Sequence, residues 1–282
     1  MTPDGAIFAV GGVSPGVSGR TRLYPIIGDP IEFAQSPRRL TAGLAARGHD
    51  ALCCPMQVPA GALPDVMRAL ALTGNVDGVL VTMPHKASVV AHCATVSDRV
   101  ALLGAASVIR RNVDGSWHGD MLDGIAFVQA QRDAGARLER ARVLLVGAGG
   151  AGSAIALALL EAGVRELIVH DRDERKAREL VARIEGRAHG RARIGSSHPA
   201  GCDMVCNASS AGMSPDDELP VPAALIDGSM FVGDVIAGHG ITPLLRMAQA
   251  AGCRTASGDQ MVEAVQERML DFFLRSVERL VA

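Results

Sequence analysis

The 282-residue sequence is poor in aromatic residues and has no long apolar run. Aromatic side chains make up 3% of the chain, which argues against an aromatic-rich binding module. The apolar runs fall well short of the roughly 20 residues that cross a bilayer, and the N-terminal stretch lacks the basic start of a signal peptide. We therefore expect a soluble, cytoplasmic protein without a membrane partner.

Cysteine and lysine are also scarce. Six cysteines form no C-x-x-C pair and no Cys/His cluster with zinc-like spacing, so we expect reduced packing residues and no metal site. A net charge of −2 provides no basic surface for nucleic acid. Of the 28 basic residues only two are lysines, Lys86 and Lys176. A lysine at a turn is therefore unusual for this chain.

Glycine is abundant, with 32 residues, as is typical of α/β proteins with tight turns and close helix–sheet packing. Residues 1–20 have no amphipathic period and are expected to be a loose lead-in. Strands and helices then alternate, with short helices within 85–104 and a helix that opens at Asp123. The predicted strands cover 23–28, 51–58, 78–83, 107–111, 117–121, 142–146, 166–170, 204–207 and 230–235; the predicted helices cover 36–48, 64–73, 152–162 and 260–280.

The strongest motif is a G-x-G-x-x-G at 147–152, which follows one predicted strand and opens a helix. Its glycines permit a tight turn, close approach of the backbone to a pyrophosphate, and close packing of helix on strand. The helix amide groups then point at the phosphates. The motif predicts a dinucleotide site; the alternative is a glycine-rich turn without a ligand.

Asp171 ends the next predicted strand, near the position where a carboxylate accepts hydrogen bonds from the adenosine ribose. A carboxylate there repels a 2′-phosphate, so the sequence favours NAD over NADP. Arg172 beside it can bind such a phosphate, which leaves NADP possible, or it is a solvated charge.

A second motif is the turn at 82–86, which follows an apolar strand and contains Pro84 and Lys86. In a chain with 26 arginines, a lysine at this turn suggests a need for an amine that can lose its proton, which arginine cannot do. A surface lysine without a role is the alternative. Neighbouring His85 is either a direct participant or a cleft-wall imidazole.

These and four further motifs resemble the shikimate/quinate dehydrogenase family along nearly all of residues 23–275. The matching segments are IGDPIEFAQSP at 27–37, GVLVTMPHK at 78–86, GDMLDG at 119–124, VGAGGA at 146–151, NASS at 207–210, and GD at 233–234 with TPL at 242–244. The resemblance implies an α/β fold with an N-terminal substrate-binding domain (21–122), a Rossmann domain (123–259) and a C-terminal helix (260–282) that returns to the first domain.

The resemblance also implies roles for individual residues. Lys86 and Asp123 are the implied catalytic pair, and chemistry agrees, since oxidation of an alcohol needs a proton acceptor or a cation at the oxygen. Ser36, Thr82 and Ser107 are expected to bind the substrate. The expected cofactor-binding residues are Gly147, Ala148, Gly149, Gly150, Ala151, Gly152, Asp171, Arg172, Asn207, Ser209, Val235 and Gly258.

The sequence departs from the family pattern at several substrate contacts. Ala34 replaces a serine that holds the substrate carboxylate, and Val265 replaces a glutamine of the C-terminal helix. At further positions where the family usually has a polar residue, this chain has Leu80, Ser107, Met121, Leu122 and Ala237. Losing several hydrogen bonds costs about 0.5 to 1.5 kcal/mol each, so we expect shikimate to be a poor substrate.

The resemblance implies a reversible NAD(P)-dependent alcohol dehydrogenase that acts on a shikimate- or quinate-like hydroxy acid or a less polar analogue. The expected oligomeric state of the protein is a monomer or a homodimer. The alternative from another class is a non-catalytic module that senses NAD and binds an effector or a partner.

Overall fold

The computed structural model describes residues 17–32, 34–214 and 217–281, and side chains up to residue 274. Most of the predicted lead-in therefore lies outside the described residues. The first half of the chain alternates short strands and helices. Its elements are β1 (Arg22–Leu23), β2 (Ile26–Gly28), α1 (Ser36–Ala46), β3 (Ala51–Leu52), β4 (Pro55–Gln57), α2 (Leu63–Leu72), β5 (Gly78–Val81), β6 (Thr95–Val96), α3 (Asp98–Leu103), β7 (Val108–Arg111), β8 (Trp117–Asp120) and α4 (Asp123–Asp133).

The second half is a regular β/α alternation. Its elements are β9 (Arg142–Val146), α5 (Gly150–Glu161), β10 (Glu166–His170), α6 (Glu174–Ala188), β11 (Ala192–Ile194), β12 (Met204–Asn207), β13 (Phe231–Asp234), α7 (Pro243–Ala250), β14 (Arg254–Ala256) and α8 (Gly258–Val281). Short 3-10 helices cover Ala60–Ala62, Ser88–His92 and Ala223–Leu225.

Two six-stranded sheets organise the molecule. The first has the order β4-β2-β5-β7-β8-β6 and is mixed, because β7 pairs antiparallel with both β5 and β8. The second has the order β11-β10-β9-β12-β13-β14, and all of its pairs are parallel. This is the doubly wound arrangement of a Rossmann sheet, and it confirms the predicted α/β class.

Two predicted strands are each divided in the structure. The segment predicted as 23–28 becomes β1, which pairs with β3, and β2, which joins the first six-stranded sheet. Pro25 lies between them, and proline cannot donate to a strand ladder. The segment predicted as 51–58 is likewise divided into β3 and β4, with Pro55 at the start of the second. The predicted hairpin at Asp114 and Gly115 is confirmed.

Helices α4 and α8 connect the two sheets. α4 packs against both α5 and α8, and α8 also packs against α1 and β7 of the first half. Apolar residues of α8, including Leu270 and Phe273, belong to one buried cluster with Leu40 and Leu44 of α1. The predicted return of the last helix is therefore present, although the helix begins at Gly258 instead of residue 260. The domain bounds at 122/123 and 259/260 stay predictions.

Within the part of the chain that the structure describes, no helix has the length and the apolar character needed to cross a membrane.

Candidate active site

A cavity of about 590 Å³ lies between the two sheets, at the carboxyl ends of β5 and β13 and beside the first turns of α1, α4, α5 and α8. This is the edge at which open α/β sheets bind their ligands. Predicted site residues that line it are Ser36, Thr82, Lys86, Ser107, Asp123, Gly149, Gly150, Ala151, Ser209, Val235 and Gly258. Those that do not line it are Gly147, Ala148, Gly152, Asp171, Arg172 and Asn207.

Lys86 and Asp123 form an ion pair in this cavity. Lys86 Nζ donates to Asp123 Oδ2 at 2.5 Å, and the side chains are 20% and 9% exposed. Lys86 is held by the turn after β5, in which the His85 amide donates to the Thr82 carbonyl at 3.0 Å. Asp123 opens α4, where the helix dipole favours a carboxylate. The structure thus brings together the two residues for which we expect a catalytic role.

The position of Asp123 is fixed by its two chain neighbours. Ser107 Oγ accepts a hydrogen bond from the Leu122 amide at 3.0 Å, and Ser107 is buried. On the other side, a Cβ atom on Gly124 would lie 2.0 Å from the Ala154 carbonyl oxygen of α5. Ser107, expected to bind substrate, therefore also orients the backbone that precedes the carboxylate.

His85 has a structural position. Its ring Nε2 lies 2.6 Å from the Val58 carbonyl oxygen, the residue is 1% exposed, and it does not line the cavity. The sequence leaves open a direct role or a place in the cleft wall, and the structure places the ring in neither position, because it is buried outside the cavity lining. The imidazole secures the turn that presents Lys86.

The glycine-rich loop between β9 and α5 has the shape that a dinucleotide pyrophosphate requires. Gly147 has a φ of +105°, and a Cβ atom there would lie 2.7 Å from the Ala208 carbonyl. A Cβ on Gly152 would lie 2.0 Å from the Gly147 oxygen. Gly149 and Gly150, in contrast, face open space in the cavity. The loop and the amide groups of the first turn of α5 therefore fit the phosphates of NAD or NADP.

Asp171 anchors this loop instead of facing the cavity. Its Oδ2 accepts from the Ala148 amide at 2.8 Å, and its Oδ1 accepts from the Asp173 amide at 2.9 Å. Asp173 in turn caps α6 by accepting from the Arg175 amide. Arg172, between the two carboxylates, is exposed. Asp171 thus supports the glycine-rich loop, and its ribose contact stays a prediction.

Asn207 lies behind the cavity wall. It is fully buried, donates to Asp234 Oδ1 at 3.1 Å, and accepts from Ser209 Oγ at 2.6 Å. Asp234 also accepts from Thr242 Oγ1 at 2.7 Å, and burial raises the pKa of the Asp234 carboxyl above its ordinary value. Where the sequence predicts that Asn207 binds the cofactor, the structure shows it joining the ends of β12 and β13 and supporting Ser209.

Asp259 links three segments at the rim of the cavity. Its Oδ1 accepts from Gln35 Nε2 at 3.2 Å and from the Gly238 amide at 2.9 Å. The neighbouring Gly258 lets α8 begin against the loop after β13, because a Cβ there would lie 2.4 Å from the Ile236 carbonyl. No local sequence pattern signals this linkage, since its members are distant in the chain.

Helix α8 contributes apolar residues to the cavity. Its apolar residues follow an amphipathic helical spacing, and four of them line the cavity: Met261, Val262, Val265 and Met269. Met213, from the loop after β12, also lines it. The amphipathic pattern correctly predicts an inward-facing stripe, but it cannot distinguish packed contact from a cavity wall.

The cysteines do not line the cavity. All six are free, and burial raises the pKa of the Cys53 thiol to about 12 and that of Cys93 to about 11. They are therefore unreactive packing residues. In the described ranges, no group of three or more His, Cys, Asp or Glu side chains is placed to hold a metal ion.

Comparison with known proteins gives the family. The family model described as the shikimate dehydrogenase substrate binding domain matches residues 26–109, which contain β2, β5 and Lys86. The curated shikimate dehydrogenase (NADP(+)) of Rubrobacter xylanophilus is 34% identical over 253 residues, which cover 88% of this chain and 89% of the relative. The chain belongs to the shikimate dehydrogenase family. A model described as the ThiF family matches residues 124–184, around the glycine-rich loop.

Two solved structures are similar to this chain over nine-tenths of its length. Shikimate 5-dehydrogenase from Listeria monocytogenes, in complex with shikimate and NAD, has a TM-score of 0.85 and 25% identity, with 93% of this chain and 95% of that chain covered. The ligand-free 5-ketofructose reductase of Gluconobacter sp. strain CHM43 has a TM-score of 0.82 and 27% identity, with 91% and 94% covered. This member of the shikimate dehydrogenase family is an NAD(P)-dependent alcohol dehydrogenase.

Proposed function

We propose that the Lys86–Asp123 cavity catalyses reversible hydride transfer between NAD(P) and a secondary hydroxyl of a ring alcohol. The observation that supports this most strongly is the placement of a shielded lysine–carboxylate pair in the same cavity as a glycine-rich loop built for a dinucleotide. The hydroxy acid expected from the sequence and a less polar analogue both belong to this class. The relatives are named for shikimate and for 5-ketofructose, so family membership does not choose the substrate.

In this proposal the proton is handled by Lys86 and Asp123. During oxidation, the Lys86–Asp123 pair accepts the hydroxyl proton as negative charge develops on the oxygen. During reduction, the Lys86 ammonium returns a proton to the carbonyl oxygen and stabilises the developing alkoxide. Asp123 holds Nζ in place through the 2.5 Å hydrogen bond, and its second oxygen can orient the substrate hydroxyl.

The nicotinamide ring, when bound, accepts or supplies the hydride. Gly149, Gly150, Ala151, Ser209, Val235 and Gly258 line the cavity and would hold the cofactor, with Asn207 and Asp171 as supports. Ser36, Thr82 and Ser107 would hold the substrate. Of these, Thr82 lies between the strand end of β5 and Lys86, and its hydroxyl can contact the reacting alcohol.

We propose that NAD is preferred, with NADP still accepted. Two carboxylates, Asp171 and Asp173, flank Arg172, and they oppose the charge of a 2′-phosphate. The Rubrobacter relative is named for NADP(+), so this preference would distinguish the present chain from it. A monomer or a homodimer remains the expected oligomeric state.

The direct test measures reduction of NAD and of NADP at 340 nm with a panel of secondary ring alcohols that includes shikimate and quinate. We expect turnover of at least one alcohol in the panel. A tight cofactor complex without turnover of any alcohol would contradict the proposal and would favour the alternative, a non-catalytic NAD-sensing module.

A further inference from the structure

The side chain of Gln35 connects the start of α1 to the start of α8. Gln35 occupies the N-cap position of α1, where a polar side chain often accepts from a free amide of the first turn, but it makes no such hydrogen bond. Its Nε2 donates instead to Asp259 Oδ1 at 3.2 Å, 224 residues away in sequence. Gln35 also lines the cavity, next to Ser36. The contact therefore lies at the edge of the substrate side of the cavity.

A single oxygen of Asp259 accepts hydrogen bonds from two sides of the cavity. Besides the Gln35 amide group, Oδ1 accepts from the Gly238 backbone amide at 2.9 Å. Gly238 has a φ of +79°, and a Cβ atom there would lie 3.2 Å from Gln35 Nε2, so all three residues converge. Gly238 belongs to the loop after β13, in which residues 235–237 line the cavity. We name Gln35, Gly238 and Asp259 the rim cluster.

Arg39 fixes the orientation of the Gln35 amide. Arg39 Nη2 donates to Gln35 Oε1 at 3.1 Å, and Arg39 Nη1 lies 3.5 Å from Glu263 of α8. Gln266, also of α8, donates to the Arg39 carbonyl at 2.9 Å. Because a guanidinium can only donate and a carboxylate can only accept, Oε1 must face Arg39 and Nε2 must face Asp259. Both ends of the Gln35 amide are thus engaged.

From these contacts we propose that Asp259 is a positioning residue, which acts through Gln35 and Gly238 to fix the distance between the substrate side of the cavity and the loop after β13. This inference rests on the proposed function, because it concerns the alignment of alcohol and cofactor at the Lys86–Asp123 centre. The two reactants are held by different halves of the chain, and hydride transfer depends steeply on the distance between the reacting atoms. The glycine-rich loop that fits the phosphates makes no contact with the rim cluster. Loss of Asp259 should therefore affect the alcohol more than the affinity for the cofactor.

Two variants of Asp259 separate positioning from helix stabilisation. Asp259→Ala removes both hydrogen bonds, whereas Asp259→Asn keeps an oxygen that can accept them. With the best alcohol of the panel, we expect Asp259→Ala to lower kcat/KM about 10-fold with the cofactor Kd nearly unchanged, and Asp259→Asn to stay within about 2-fold of wild type. If the carboxylate only stabilises the first turn of α8 through its charge, both variants will lower the unfolding temperature and leave kcat/KM unchanged. That result would overturn the inference.

Gln35→Glu tests the same contact from the other side, because it places a second carboxylate against Asp259. Arg39 still has an oxygen to which it can donate, so the contact that changes is the one with Asp259. We expect kcat/KM to fall about 10-fold, but by about 2-fold or less when Gln35→Glu is combined with Asp259→Asn, whose amide can donate to the new carboxylate. An equal loss in both backgrounds would contradict the proposed coupling.

Gln57→Glu is the matched control. Gln57 Nε2 donates to Asp29 Oδ1 at 2.9 Å, so the same two groups meet there, but neither residue lines the cavity. Gln57→Glu should therefore leave kcat/KM unchanged. A loss as large as that of Gln35→Glu would show that any added charge near the first sheet lowers activity, and would contradict a specific role of the rim cluster.

Hydrogen exchange provides a readout that does not depend on turnover. Because Asp259 accepts from the Gly238 amide, the segment 235–242 should exchange faster in Asp259→Ala than in wild type or Asp259→Asn, as followed by mass spectrometry. Unchanged exchange would show that Asp259 does not hold this loop, and the inference would be wrong.

The two measurements together distinguish the two proposals. If exchange becomes faster in Asp259→Ala while kcat/KM stays at the wild-type value, the inference is wrong and the dehydrogenase function stands. If wild type oxidises no alcohol of the panel although the cofactor binds, the proposed function fails and the inference fails with it.

Discussion

At the residue scale, the proposed choice between NAD and NADP depends on Arg172, which lies between Asp171 and Asp173 in the sequence. Asp171 has two tasks, because it holds the Ala148 amide of the glycine-rich loop and also carries one of the two negative charges adjacent to Arg172 in sequence. Removing only the charge separates these tasks. Asparagine keeps an oxygen that can accept the loop hydrogen bond, whereas alanine would lose both functions.

We expect Asp171→Asn to raise the ratio of kcat/KM for NADP to kcat/KM for NAD by about 10-fold, because repulsion of the 2′-phosphate is removed. A loosened loop would lower kcat/KM for both cofactors, and such a common loss does not change the ratio. Glu179→Gln, which changes an exposed carboxylate of α6 that pairs with Arg175, is the matched control. A wild-type protein that prefers NADP would contradict the proposed preference.

Residues whose chemistry is unusual where they occur are the ones that the sequence singles out. Lys86 is prominent because arginine is the usual basic residue of this chain, and the structure pairs it with Asp123, as the family resemblance implies. Gln35 and Asp259 carry no such signal, because their contact depends on how α1 and α8 pack. Asn207 matches a family segment, yet sequence similarity alone does not reveal whether its side chain faces the ligand or the core.

At the element scale, the contact between α4 and α5 fixes the catalytic carboxylate relative to the cofactor loop. Asp123 opens α4, and the next residue, Gly124, lies against the α5 backbone one turn beyond the glycine-rich loop. A shift of α4 would therefore move Asp123 away from the position set by Ser107 and Lys86. This coupling explains why a glycine occupies the first turn of a helix, where it weakens the helix itself.

Gly124→Ala should destabilise the protein by about 1 to 3 kcal/mol through overpacking and should lower kcat, since its Cβ would lie 2.0 Å from the Ala154 oxygen. Thermal unfolding and steady-state kinetics measure the two effects. Gly186→Ala is the matched control: this glycine lies in α6, is exposed and faces open space, so alanine should leave kcat unchanged and slightly stabilise the helix. Equal stability and equal kcat for wild type and Gly124→Ala would show that α4 is not held by this contact.

The strands show what hydrophobic periodicity can and cannot predict. The long strands of the Rossmann sheet, such as β9 and β10, match their predicted bounds because both faces of each strand are buried and their apolar runs are uninterrupted. The N-terminal strands are two or three residues long and turn at Pro25 and near Pro55, so a single apolar run is divided between two sheets. Pairing partners, which determine that division, are not encoded locally.

At the scale of the whole molecule, the site exists only where the two sheets and the last helix meet. Lys86 comes from the turn after β5, Asp123 from the start of α4, the dinucleotide loop from the end of β9, and Met261, Val262, Val265 and Met269 from α8. The motifs predict the contributions of Lys86, Asp123 and the loop separately. The cavity itself forms only when these elements are assembled.

In the proposed mechanism Lys86 acts on the alcohol and not on the dinucleotide, and a comparison of Lys86→Ala with Lys176→Ala tests this. These replace the two lysines of the chain, and Lys176 is an exposed residue of α6. With the best alcohol found, we expect Lys86→Ala to lower kcat by about 10²-fold with the Kd for the cofactor and the unfolding temperature nearly unchanged, and Lys176→Ala to match wild type. Near wild-type turnover by a folded Lys86→Ala protein would contradict the assigned mechanism.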